Sequence, residues 1–203
     1  PAAIEPDIRR AMGVKMADHD PISDEDLQRI WLEPLTLHQG TITLVDSDPN
    51  WPILFDREAR RIQQVLGPAV VQLEHAGSTS VPGLVAKPII DIILVVRDSS
   101  DEPSYVPALT AAGYRLVIRE PDWFEHRLFK GPDTDINMHV FTAGAVKIDR
   151  MLRFRDRLRS DERDRELYAR TKRVLAGQHW RHVQHYAEAK SEVVLQILER
   201  ADE

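Results

Sequence analysis

Apolar and polar positions follow two different rhythms along this chain, and the rhythms divide it. Ser23-Asp24-Glu25-Asp26 has the make-up of a helix start: a hydroxyl that caps, then carboxylates facing the positive end of the helix dipole. The helix it predicts runs to about Leu32, with Pro34 as the stop. Residues 41–45 alternate and are β-branched, which predicts a strand. Leu54, Phe55, Ile62, Val65 and Leu66 recur at helical spacing, and Gly67-Pro68 ends that helix. Strands are predicted over 70–73 and 89–96. The second is a nearly continuous apolar run, as in a central strand buried on both faces. A short helix over 107–112 ends at Gly113, and strands follow over 114–119, 123–129 and 136–141. After Gly144 the period becomes helical, over 147–159, 162–176 and 180–200, with Gly177 breaking the second from the third. The first twenty residues have no apolar period and are expected to be mobile. The pattern predicts an α/β (α+β) fold, a mixed sheet flanked by helices with a C-terminal helical portion. Residues 1–40 form an N-terminal extension with a short helix, and 41–203 one domain.

Composition narrows the function. Of 203 residues, 42% are apolar and 30% charged, as in a globular chain. The absence of cysteine excludes disulfide scaffolds, thiolate metal sites and thiol catalysis. The net charge of −6 argues against a uniformly basic nucleic-acid binder. The basic segment 147–173 carries no aromatic ladder, so nucleic acid is not the expected partner. No apolar run approaches the ~20 residues that span a bilayer, and no signal-peptide pattern opens the chain, so a cytoplasmic protein without membrane contact is expected. The oligomeric state is not legible.

The chemistry concentrates in one stretch, Glu74-His75-Ala76-Gly77-Ser78-Thr79-Ser80-Val81-Pro82-Gly83-Leu84-Val85-Ala86-Lys87-Pro88-Ile89-Ile90-Asp91. Gly77 and Ser78 offer unhindered backbone, Ser78, Thr79 and Ser80 three hydroxyls, and Lys87 a cation. Phosphate recognition asks for that combination. The stretch is not a Walker loop, because Pro88 follows Lys87. Asp91 places a charge in a strand that should be buried, which is costly unless it is paired, hydrogen-bonded or bound to a metal.

This stretch resembles the GrpB family, a branch of the nucleotidyltransferase superfamily that includes DNA polymerase β. Trp51 with Phe55, the His139-Val140-Phe141 strand, Leu152 to Asp156, Tyr168 with Lys172, and Tyr186 with Lys190 add to the resemblance. It covers residues 41–198. It implies transfer of a nucleotidyl or phosphoryl group from a nucleoside triphosphate to a small acceptor. Gly77, Ser78, Thr79, Ser80 and Lys87 would bind phosphates, with Arg153 and Lys190 as further contacts. Asp91 and His139 would be catalytic and would hold Mg²⁺ or Mn²⁺. The sequence departs from the superfamily pattern at Ile93, where a second metal-binding carboxylate would share a strand face with Asp91. Glu74, His75, Asp135, Asn137 and His139 are candidates to compensate. The alternative is a nucleotide- or anion-binding module without transfer, and a third is other chemistry in the same pocket.

Among remaining candidates, Arg153, Arg155 and Arg157 are expected to pair with Asp149, Asp156 or Asp161. Glu125-His126 reads as surface charge. His179, His182 and His185 lack an acidic partner at metal-motif spacing, and the GxSxG elbow of serine hydrolases is absent.

Overall fold

The computed structural model describes residues 22–35 and 37–201. The expectation of mobility for the first twenty residues lies outside them. Five strands form one mixed sheet: β1 (Gln72–Ala76), β2 (Ile90–Val96), β3 (Arg115–Glu120), β4 (His126–Lys130) and β5 (Ile136–Thr142). Their order is β1-β2-β5-β4-β3, and only the β2–β5 pair is parallel. Among the described residues seven α-helices surround it: α1 (Asp24–Ile30), α2 (Trp51–Leu66), α3 (Val106–Ala111), α4 (Val146–Ser160), α5 (Glu162–Ala176), α6 (Val183–Glu188) and α7 (Ser191–Ala201).

The central strand β2 explains its apolar composition by having two covered faces. Ile90, Ile92, Leu94 and Val96 pack with Trp51 and Ile62 of α2 and Leu109 of α3. Ile93 and Val95 point the other way, into a smaller cluster with Ala76, Phe141 and Ile148 of α4. A third cluster joins Val81, Leu84 and Val85, which follow β1, to Leu158, Tyr168, Val193 and Ile197 of the C-terminal helices. The loop after β1 is thereby clamped between sheet and helices. Asp164, 3% exposed, binds these helices together by accepting from Arg157 at 2.7 Å and Arg200 at 3.0 Å.

Three expectations are corrected. Residues 41–45 are extended but do not form a strand. Gly40 bridges Trp180, the Ile42 N–H donates to the Ala176 carbonyl, and Val45 bridges Ala86, so the segment ties three places together. The strand expected over 123–129 begins only at His126, because Phe124 and Glu125 turn with φ of 56° and 49°. The last helix is two. Tyr186 of α6 packs on Ile42 and Ala176, while Val193 and Ile197 of α7 pack on Val81 and Leu84. A single straight helix does not serve both clusters, and the break leaves Lys190 at the junction. At the other edge, Ile30 and Trp31 cover β3: Trp31 bridges Ile118, and both join the Val117, Ile118 and Leu128 cluster.

Candidate functional site

The end of β1 and the start of β2 are paired neighbours, with Ala76 opposite Asp91. The chain leaving β1 therefore crosses directly over the Asp91 carboxyl. Gly77 makes the crossing at φ 64°, ψ −169°, a conformation nearly restricted to glycine. A Cβ at this position would lie 2.0 Å from Asp91 Oδ2 and 2.8 Å from its Cγ. The glycine is thus required twice, by backbone conformation and by the carboxyl beneath it.

The hydroxyls that follow have different jobs. Thr79 and Ser80 are buried and hold the turn in shape. Ser80 Oγ donates to the Gly77 carbonyl at 2.6 Å, and Thr79 Oγ1 donates to the Ile89 carbonyl at 3.3 Å. Thr79 Oγ1 also lies 3.1 Å from His75 Nε2. Arg159 Nε and Nη2 donate to the Ser80 carbonyl at 3.0 and 2.9 Å. Ser78 is the hydroxyl less buried than these two, and it shares a hydrogen bond with Tyr168. His75 is stacked on Phe55 at 4.8 Å, and burial lowers it to about 4, so it is a neutral packing residue.

Around Asp91 the fold gathers lysines from four elements. Asn137 Nδ2 donates to Asp91 Oδ1 at 2.9 Å, and Lys130 Nζ donates to Asn137 Oδ1 at 2.8 Å. Lys87, Lys190 and Lys130 pull the Asp91 carboxyl down electrostatically, but burial is the larger influence and leaves it raised. Lys87 is held at about 8 by burial and by the charge of Lys190, and Lys190 at about 8 by burial. Lys172 is 2% exposed and lowered to about 6, again by burial first and Lys190 second. Its ammonium donates to the Val85 carbonyl and lies 5.3 Å from the centre of the Tyr168 ring. Lys190 Nζ sits 4.6 Å over the Tyr186 ring and Lys87 Nζ 6.0 Å from it. The Tyr186 hydroxyl is the one buried side-chain polar atom without a hydrogen-bond partner among the described residues. A cleft of about 210 Å³ adjoins this group, lined by Lys147, Phe154, Tyr168, Lys190 and Ser191 among others.

His139 lies beside Ile93 in the parallel register and so shares the Asp91 face of the sheet. Its Nε2 is 3.9 Å from Asp91 Oδ1, and its Nδ1 is 3.0 Å from His126 Nε2. His126 Nδ1 is in turn 2.6 Å from Glu120 Oε2. Burial first, then neighbouring positive charge, holds His139 well below the ordinary histidine range. Glu120 and His126 escaped the sequence reading because His126, placed on the surface there, is 3% exposed, and Glu120 meets it only through the β3–β4 pairing.

The donor set does not fit a pair of divalent ions. Ile93 is fully buried among apolar side chains. Glu74 is taken by Arg155 at 2.7 Å, Asp135 by Lys130 at 3.6 Å, and both ends of the Asn137 amide are engaged. Among the described residues no group of three or more His, Asp or Glu side chains could hold a metal. Magnesium asks for several oxygen ligands in a tight octahedron, and a ring of ammonium groups repels it. Arg153 pairs with Asp149 at 3.7 Å, Arg155 with Asp156 at 2.7 Å and Arg157 with Asp161 at 3.0 Å. His182 Nε2 meets Asp24 Oδ1 at 2.9 Å and His185 Nε2 the Ile22 carbonyl at 3.0 Å. No helix among the described residues is long and apolar enough to cross a membrane.

A UPF0157 protein of Halalkalibacterium halodurans is 63% identical over 182 residues, 90% of this chain and 93% of that protein. A UPF0157 protein of Streptomyces coelicolor is 48% identical over 160 residues, 79% of this chain and 84% of that protein. The crystal structure of GrpB from Enterococcus faecalis matches with a TM-score of 0.69 at 29% identity, over 78% of this chain and 96% of its own. The family model described as GrpB protein matches residues 41–200, which span the turn over Asp91, the lysines and the two histidines, and the chain belongs to the GrpB family.

Proposed function

We propose that this domain binds the phosphate groups of a nucleoside triphosphate, or of a related phosphorylated small molecule, beside Asp91 and the cleft at Tyr168 and Lys190. The observation that carries the reading is the convergence of Lys87, Lys172 and Lys190 on one carboxyl beneath the Gly77–Ser78 turn. Lys87 and Lys190, held at about 8, and Lys172, lowered to about 6, leave an excess of basic groups over one carboxyl in a poorly hydrated place. A polyanion relieves that excess and restores the charge of lysines that burial has weakened. Ser78, Tyr168 and the unpartnered Tyr186 hydroxyl add neutral donors. In this reading the lysines supply the neutralisation that divalent ions would otherwise give.

A second reading, metal-assisted transfer of a nucleotidyl or phosphoryl group to a small acceptor, is favoured by the placement of Asp91 below the turn with His139 at 3.9 Å.

Calorimetric titration with ATP, GTP, CTP and UTP separates the readings, each with EDTA and with Mg²⁺ or Mn²⁺. Lysine-based binding persists in EDTA and weakens about tenfold or more in Lys190→Met, since a charge-assisted hydrogen bond contributes about 1.5–3 kcal/mol. Binding only with metal, lost in Asp91→Asn, would favour the second reading. No binding of any triphosphate, or of tripolyphosphate, would sink the first.

A further inference from the structure

Glu120, His126 and His139 form a part-buried hydrogen-bonded series that ends beside Asp91, and phosphate binding leaves it unused. We propose that His139 is the proton acceptor for the attacking hydroxyl in group transfer, and that His126 and Glu120 are positioning residues that fix its tautomer. The inference rests on the transfer reading above and goes beyond it by assigning the proton.

The argument is one of donors and acceptors. The Glu120 carboxylate accepts and does not donate, so the hydrogen in its 2.6 Å bond belongs to His126 Nδ1. With His126 neutral, its ring carries one N–H, and His126 Nε2 is then a bare acceptor. His126 Nε2 faces His139 Nδ1 at 3.0 Å, which therefore carries the hydrogen. His139 is neutral, so its Nε2 is left as an open lone pair on the Asp91 side. The 3.9 Å separation from Asp91 Oδ1 is too long for a direct hydrogen bond. Asp91 Oδ1 already accepts from Asn137.

Packing keeps the series from rearranging. The His126 ring has Trp123 edge-on at 5.2 Å, Phe141 stacked at 4.9 Å and His139 stacked at 5.2 Å. His126 is 3% exposed, so water does not compete for its nitrogens. Lys147 and Lys130 disfavour a charge on His139, whereas the Asp91 carboxyl 3.9 Å away favours one. A general base held in one tautomer by a carboxylate through hydrogen bonds is a known way to keep a lone pair on target. Here the carboxylate acts through two rings instead of one.

In the transfer step, the acceptor hydroxyl gives its proton to His139 Nε2. Its oxygen forms a bond to the α-phosphorus of the bound nucleoside triphosphate. The bond from that phosphorus to the bridging oxygen breaks, and the electron pair leaves on pyrophosphate. The imidazolium that results faces the Asp91 carboxyl on one side and the Glu120-anchored series on the other.

The tautomer is measurable without any ligand. In the full chain carrying ¹⁵N-histidine, two-bond ¹H–¹⁵N correlation spectra should report His139 and His126 both as Nδ1–H with bare Nε2. In His126→Phe, which keeps an aromatic ring in the aromatic box, His139 loses its acceptor. It should then move toward the Nε2–H form that free imidazoles prefer. His139 found as Nε2–H in the wild-type protein, or unmoved in the variant, overturns the series, and the wild-type spectrum alone suffices if the variant does not fold. In turnover with whichever triphosphate binds, His126→Phe should lower kcat by about tenfold or more with the triphosphate KM changed less than twofold. An unchanged kcat overturns the positioning role. A wild-type protein that binds a triphosphate and shows the expected tautomer, yet transfers nothing to any hydroxyl, overturns the transfer reading and the acceptor role with it, while leaving phosphate binding intact.

Discussion

Gly77 gives the sharpest test of how the site is built. Gly77 and Gly83 both have positive φ, 64° and 77°, but their surroundings differ. A Cβ on Gly83 meets nothing within 4 Å, whereas one on Gly77 falls 2.0 Å from Asp91 Oδ2 and 2.9 Å from Asp91 Cβ. Gly83→Ala therefore isolates backbone strain, about 1–2 kcal/mol. Gly77→Ala adds an overpacking cost, typically about 1–3 kcal/mol, for a loss of about 2–5 kcal/mol. At about 2–4 °C per kcal/mol for a chain of this size, the melting temperature should fall by roughly 10 °C in Gly77→Ala and by roughly 4 °C in Gly83→Ala. Thermal denaturation followed by circular dichroism reads both. The double variant Gly77→Ala/Asp91→Ala removes the clashing carboxyl, so its loss should be smaller than the two single losses combined, by about 1–2 kcal/mol. Equal melting of Gly77→Ala and Gly83→Ala, or strict additivity in the double variant, would refute the idea that the turn rests on Asp91.

Other expectations follow from the same structure. Lys172 stands at about 6 when folded against an ordinary value of 10.5, so between those values the unfolded chain binds the extra proton and stability rises with pH. Lys172→Met should flatten that rise in melting temperature; Lys87 and Lys190 act in the same sense, so some slope remains, and an unchanged slope would contradict the buried ammonium. Ile93→Asp places a second carboxylate on the Asp91 face of the sheet but buries it unpaired beside Val95 and Phe141. It should melt well below Ile93→Val, which costs about 1 kcal/mol, and gain no Mn²⁺ affinity by calorimetry. Tyr114→Phe removes the 2.7 Å hydrogen bond to Glu58, a fully buried carboxyl that also accepts from Thr134 at 2.8 Å. The expected loss in chemical denaturation is about 1–3 kcal/mol, with triphosphate affinity unchanged.

Much of the fold was legible because local rules decide it. The uninterrupted apolar run of β2, the capping serine of α1 and the Gly67-Pro68 stop of α2 each act over a few residues, and a periodicity argument reads them directly. Residues 41–45 failed that argument because their extended shape depends on hydrogen bonds to Ala86, Ala176 and Trp180, distant in sequence. The continuous pattern of 180–200 hid a break for a related reason. Its apolar residues serve two clusters in different directions, and a one-dimensional period does not record direction.

The sequence by itself determined the strand–turn–strand with its glycine, its hydroxyls and Asp91, since those residue types in that order are a local chemical statement. Only the tertiary structure decided which hydroxyls hold the turn and which of the many charges surround Asp91. Lys87, Lys130, Lys172 and Lys190 come from four separate places in the chain, and burial, not spacing, lowers Lys87, Lys172 and Lys190. The Glu120–His126–His139 series likewise exists only through strand pairing, because a hydrogen-bond path across β3, β4 and β5 has no signature along a single chain.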